Sequence, residues 1–160
     1  MRRALSLVIA VLALAGMADS AYLTFGYLKL SQPDDAAAPG ACLIGRGGCE
    51  ALAQSSEATV LGVPTALIGF AYFSFVLPTA AVRLRWGIWP LIPFIEPVLC
   101  IGLFFSGYLV WVLLFEIGIP CPFCLFAHTV NATIVLLYAV SRRIDRPVPT
   151  RRGRWAMGHR

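Results

Sequence analysis

Two cysteines three apart, Cys121 and Cys124, open an apolar run that carries His128 and Asn131 further along. Two thiols at this spacing can close a small disulfide ring, so the pair can alternate between dithiol and disulfide. At about 100° per residue, Cys121, Cys124, His128 and Asn131 fall within roughly 80° of arc on one helix face. Pro120 and Pro122 suit a first helical turn, where the N–H that proline lacks has no partner to lose. A sulfur placed there lies at the positive end of the helix dipole, which favours thiolate. The other chemistry open to such a pair is a structural disulfide or half a zinc site. No second Cys-x-x-Cys or histidine pair completes a metal set, so no metal is expected. A second pair, Cys42 and Cys49, lies in the only long polar segment, and the fifth cysteine, Cys100, stands alone in an apolar run, where a buried small side chain is expected.

The elements that must hold these groups follow from composition. Apolar residues make up 59% of the chain, charged residues only 13%, and mean hydropathy is +0.78. A chain of this kind cannot cover itself with polar surface in water. Its 160 residues accommodate four membrane spans and one modest loop. The expected fold is an all-α, four-transmembrane-helix bundle, with spans at about 4–28, 60–82, 90–115 and 118–141. Residues 31–59 form an extracytoplasmic loop with a short helix over 49–56, and 142–160 a basic cytoplasmic tail without a core-forming pattern. The first apolar run resembles a signal peptide at its start, but it continues unbroken to Leu28 and is read as a retained span. Asp19 lies inside it, either near the outer interface or as a polar partner within the bundle. In the third span Pro90, Pro93 and Pro97 point to regular helix only from about Glu96, and Trp86 and Trp89 read as interfacial anchors.

The net charge of +5 raises nucleic acid as a partner, but the arginines sit at span edges and in the tail. They read instead as topology signals and contacts to lipid. Arg2, Arg3, Arg83, Arg85 and seven tail arginines fall on one side of the membrane, and only Lys29 and Arg46 on the other. The positive-inside rule then puts both termini in the cytoplasm and four cysteines at the outer face, where disulfides persist. A loop pair there can meet a soluble thiol protein. A pair embedded in lipid can meet only something that partitions into it, and the natural acceptor of two electrons and two protons is a quinone. His128, one turn inward of Cys124, is a candidate hydrogen-bond donor or proton source for it. Asn131 is a further candidate.

The order of these features resembles the vitamin K epoxide reductase family in its bacterial form. The loop holds Cys42 and Cys49, with Ser55 six residues past the second; Gly62-Val63-Pro64-Thr65 through Gly69 follows, then Phe105-Ser106-Gly107-Tyr108, then Cys121-Pro122-Phe123-Cys124. The resemblance covers about residues 5–141 and lacks a fused thioredoxin-like domain, which implies a separate DsbA-like, thioredoxin-like partner in a bacterial inner membrane setting. It implies that Cys121 and Cys124 are the pair beside the quinone (ubiquinone or menaquinone) and that Cys42 and Cys49 shuttle electrons to them. Ser55 and Thr65 join His128 and Asn131 in the implied quinone-binding set. His128 stands where vertebrate members carry a tyrosine. A DsbB-type oxidase has its two cysteine pairs in the opposite order. A small transporter or a structural protein with static disulfides is the reading of another class, with Asp19, Glu96 and Glu116 as its polar groups.

Overall fold

The computed structural model describes residues 2–30, 58–118 and 121–145, without the side chains of residues 29, 30 and 117. Cys42, Cys49, Ser55, the expected short loop helix and the tail beyond Asp145 lie outside the described residues. Four helices dominate: α1 (Arg2–Leu30), α2 (Thr65–Trp86), α3 (Ile92–Trp111) and α4 (Pro122–Asp145). Each is long and apolar enough to cross a bilayer. α3 runs on into a π-helical segment, Val112–Ile117, that stops at Gly118 with φ 68°.

Several boundaries differ from the sequence expectation, among them that the second helix ends at Trp86 rather than residue 82 and the fourth begins at Pro122 rather than residue 118. The second span starts at Thr65, not residue 60, because Thr59–Val60 and Val63–Pro64 pair as a two-stranded antiparallel hairpin. Its tight turn places both Leu61 (φ 53°) and Gly62 (φ 79°) in the left-handed region, and Pro64 then precedes the first helical residue. The third helix is regular from Ile92 rather than Glu96. The Leu91 carbonyl accepts the N–H groups of Phe94 (2.8 Å) and Ile95 (2.9 Å), and Pro93 falls in the first turn, where its missing donor costs nothing. The fourth helix continues past Ser141 to Asp145.

α1 packs along α2 and also against α4, while α3 packs on α4. The dry core fills one half of this bundle. Ile9 and Ala13 of α1, Phe73, Val76 and Ala80 of α2, Ile95 and Leu99 of α3, and Val130, Ile134 and Tyr138 of α4 meet there. The first two helices approach closely because residue 16 is glycine: a Cβ there would lie 2.6 Å from Phe73 Cζ. Phe73 is itself buried and edged by Tyr72 at 5.2 Å between ring centres, so it has no room to retreat. Gly16→Ala is expected to destabilise the bundle by about 1–3 kcal/mol, read as a lower unfolding midpoint in detergent.

That half is sealed at its end by polar contacts among all four helices. The Arg83 guanidinium pairs with Asp145 at 2.6 Å, donates to the Gly87 carbonyl at 2.6 Å and lies over the Trp89 ring. Trp89 is therefore a buried tether rather than an interfacial anchor: its Nε1 donates to Ser141 Oγ at 2.9 Å and its ring meets Tyr138 edge-on. Trp86 remains exposed. Cys100 is exposed on the outer surface of α3, not buried. Leu7, Val11, Ile101, Phe104 and Leu136 also point outward, an apolar exterior suited to lipid.

Candidate functional site

The other half of the bundle holds a cavity of about 480 Å³, lined from all four helices and the hairpin. Its walls are mostly aliphatic and aromatic, among them Leu23, Ile68, Phe73, Phe105 and Leu109, and Cys124, His128 and Asn131 face it from α4. These three follow the helical spacing expected of them.

Cys121 is not on the cavity wall. It sits just before α4, with Pro122 as the first helical residue, and acts as the N-cap. Its carbonyl accepts the Leu125 N–H at 3.1 Å, and its Sγ receives the Cys124 N–H at 3.5 Å. This sulfur is fully buried, packed with Cys124 against Leu113, Leu23 and Phe123. Both sulfurs therefore occupy the positive end of α4, a setting that stabilises thiolate. Only Cys124 belongs to the cavity wall.

His128 lines the cavity one turn beyond Cys124 and makes no hydrogen bond among the described residues. Thr65 lines it too, and its hydroxyl donates to the Ala58 carbonyl at 2.9 Å, tying α2 to the base of the hairpin. Asn131 is 3% exposed and heavily bonded: its Oδ1 accepts from Tyr72 Oη at 2.6 Å, and its Nδ2 donates to Gly102 O at 3.0 Å and Ser106 Oγ at 2.7 Å. Tyr72 and Ser106 are polar groups of the cavity that the sequence reading left without a role. Ser106 lies inside the Phe105–Tyr108 motif, and Tyr72 reads in sequence as one more aromatic of a largely apolar second span. Gly102 is the residue that admits them: a Cβ there would come within 2.6 Å of Tyr72 Cε2.

Asp19 is half-buried on α1, and its Oδ2 has no hydrogen-bond partner among the described residues. It is not part of the cavity wall. Among the described residues, no group of histidine, cysteine and acidic side chains is placed to hold a metal ion.

Comparison with known proteins bears on this arrangement. No solved structure matches the chain. The model of the vitamin K epoxide reductase family matches residues 7–139, which takes in all four helices, the hairpin and the cysteine pair on α4. The chain thus belongs to the vitamin K epoxide reductase family and is a multi-pass membrane oxidoreductase of that family.

Proposed function

We propose that the chain is a quinone-dependent thiol–disulfide oxidoreductase that supports disulfide formation outside the cytoplasm. Electrons would enter from a reduced thioredoxin-like protein at Cys42/Cys49, pass to Cys121/Cys124 and leave to a lipid-soluble quinone. The observation that carries this reading is the placement of Cys124 on the wall of an apolar cavity of about 480 Å³, with Cys121 packed against it outside that wall. Family members use a quinone as electron partner. The cavity suits such a ring: its volume lies within the range of small-molecule sites, its lining is mostly apolar and aromatic, and its polar groups are few.

The cysteines would divide the work as follows. A partner thiolate attacks Cys42 of the loop disulfide and releases Cys49 as thiolate. Cys49 attacks Cys121 of the α4 disulfide, forming a Cys49–Cys121 bond and releasing Cys124 thiolate at the cavity wall. The partner's second thiol then completes the partner's own disulfide and frees Cys42. Cys42 restores the loop disulfide and frees Cys121. The net change is one dithiol oxidised in the partner and one disulfide reduced in α4, with two electrons and two protons transferred. A bound quinone supplies the chemistry of accepting those two electrons and two protons. His128, without a hydrogen-bond partner among the described residues, is the side chain nearest along α4 to hold a proton beside Cys124. The positive-inside count supports an orientation with this end of the bundle outward and the Arg83–Asp145 end in the cytoplasm. Ubiquinone and menaquinone are both candidates.

Cysteine alkylation in lipid nanodiscs, with and without ubiquinone or menaquinone analogues, tests the assignment. With an analogue present, Cys121 and Cys124 of the reduced protein should shift from alkylatable dithiol to protected disulfide and Cys42 and Cys49 should follow by exchange; reduced thioredoxin-like protein, added in excess over the quinone, should return both pairs to the alkylatable dithiol. Labelling that ignores the quinone would mean static disulfides and would overturn it.

A further inference from the structure

The hydrogen bonds around Asn131 have a direction that can be read from chemistry alone. The Gly102 carbonyl can only accept, so the Asn131 nitrogen must face α3. One Nδ2 proton goes to that carbonyl and the other to Ser106 Oγ, which leaves Oδ1 for the Tyr72 hydroxyl. Ser106 is therefore the acceptor in its bond with Asn131, and its own proton must find another partner.

Hydroxyls within these helices ordinarily hand their proton to the carbonyl four residues back. Thr24 gives its proton to Ser20 O, Thr129 to Leu125 O and Thr133 to Thr129 O. For Ser106 that carbonyl is Gly102 O, and Asn131 Nδ2 already occupies it in addition to the helix's own bonding. Ser106 donates to no group among the described residues, and it lines the cavity. Asn131, by contrast, has committed both amide protons inside the protein.

We propose that Ser106 is the hydrogen-bond donor to a ring carbonyl of a 1,4-quinone in this cavity, and that Asn131 and Tyr72 are positioning residues that aim it. The inference rests on the quinone reading of the cavity. Asn131 takes the carbonyl to which Ser106 would otherwise bond and donates to its oxygen, which also polarises the Ser106 O–H as a donor. One lone pair on Ser106 Oγ stays open, so the same hydroxyl can accept from the O–H of the hydroquinone. The group thus serves both oxidation states without a rearrangement of the helices. Ser106 and Asn131 meet one turn beyond His128, so the two ends of a ring lying along α4 would face His128 and Ser106.

The test uses 2,3-dimethyl-1,4-naphthoquinone, which has no free ring position for thiol addition, labelled with ¹³C at its carbonyls. The protein is pre-oxidised in nanodiscs so that it has no electrons to give. Isotope-edited infrared spectra should show one carbonyl band lowered by hydrogen bonding in the wild type. Ser106→Ala should return that band to the unbonded position and weaken binding about five- to tenfold; Ser106→Thr should keep both. Asn131→Ala and Tyr72→Phe should move the band toward the unbonded position while the bundle, checked by its unfolding midpoint, stays folded. Should Asn131→Ala unfold, the Ser106 pair of variants decides alone. A lowered band that survives Ser106→Ala overturns the assignment of Ser106 and leaves the quinone cavity standing. Absence of saturable binding to the wild type overturns both.

Discussion

Cys124→Ala is expected to reduce quinone-coupled oxidation of a thioredoxin-like substrate to background, a fall of about three orders of magnitude or more, while a quinone analogue still binds within about twofold. Of the two sulfurs on α4, Cys124 is the one on the cavity wall, and Cys121 is buried behind it among Leu113, Leu23 and Phe123. With alanine at 124 the cavity keeps its apolar lining, its His128 and its Asn131-centred hydrogen bonds. What is lost is the sulfur that turns Cys121 into a dithiol partner and faces the acceptor. Alanine suits a helix interior and removes a single heavy atom, so the fold should hold. The measurements are the initial rate of substrate oxidation and, on the same sample, equilibrium binding of 2,3-dimethyl-1,4-naphthoquinone. Retained turnover would show that Cys124 is not the electron-donating sulfur; lost binding would show that it holds the ring rather than reduces it.

The side chains that sequence periodicity located are those on regular helix. Cys124, His128 and Asn131 share the cavity because α4 is regular through all three. Cys121 is outside that arithmetic because α4 begins only at Pro122, so an angle of about 100° per residue does not extend to it. The hairpin at Thr59–Pro64 was read as the start of a span because its residues are apolar, and Leu61 is an unfavourable residue for the left-handed conformation that its turn demands. Trp89 looked like an interfacial anchor because tryptophans beside arginines usually are. Its burial depends on Ser141, fifty-two positions away, and on a stacked Arg83. The Tyr72, Ser106 and Asn131 contacts lie beyond any local pattern for the same reason: they require three helices in one register, held by a glycine at 102. Composition and spacing thus gave the number of helices and the reactive face of one. Which polar groups are satisfied, and by whom, emerged only from packing.

The largest effect on stability is expected at the opposite end, from Arg83→Met. The Arg83 side chain is 3% exposed and its Asp145 partner 16%. Such a pair gains little over a well-packed apolar substitute, yet removing one member leaves a desolvated charge behind. In the variant, Asp145 would retain only Arg2 among the described residues, at 3.4 Å and on a largely exposed side chain, and the Gly87 carbonyl at the end of α2 would lose its 2.6 Å donor. The Trp89 ring would lose the cation lying 5.3 Å from its centre. A loss of about 3 kcal/mol is expected, toward the lower end of what breaking a buried pair costs because Arg2 remains nearby. Arg83→Met combined with Asp145→Leu should recover most of it, since the stranded carboxylate is then gone and both replacements are apolar. Denaturant titration in micelles of wild type, both single variants and the double variant closes the cycle. A double variant as unstable as the sum of the singles would mean that Arg83 acts through Gly87 and Trp89 rather than through Asp145. Quinone binding to the folded fraction should not change, because the cavity and this cluster occupy opposite halves of the bundle with the dry core of Phe73, Val76 and Ile134 between them.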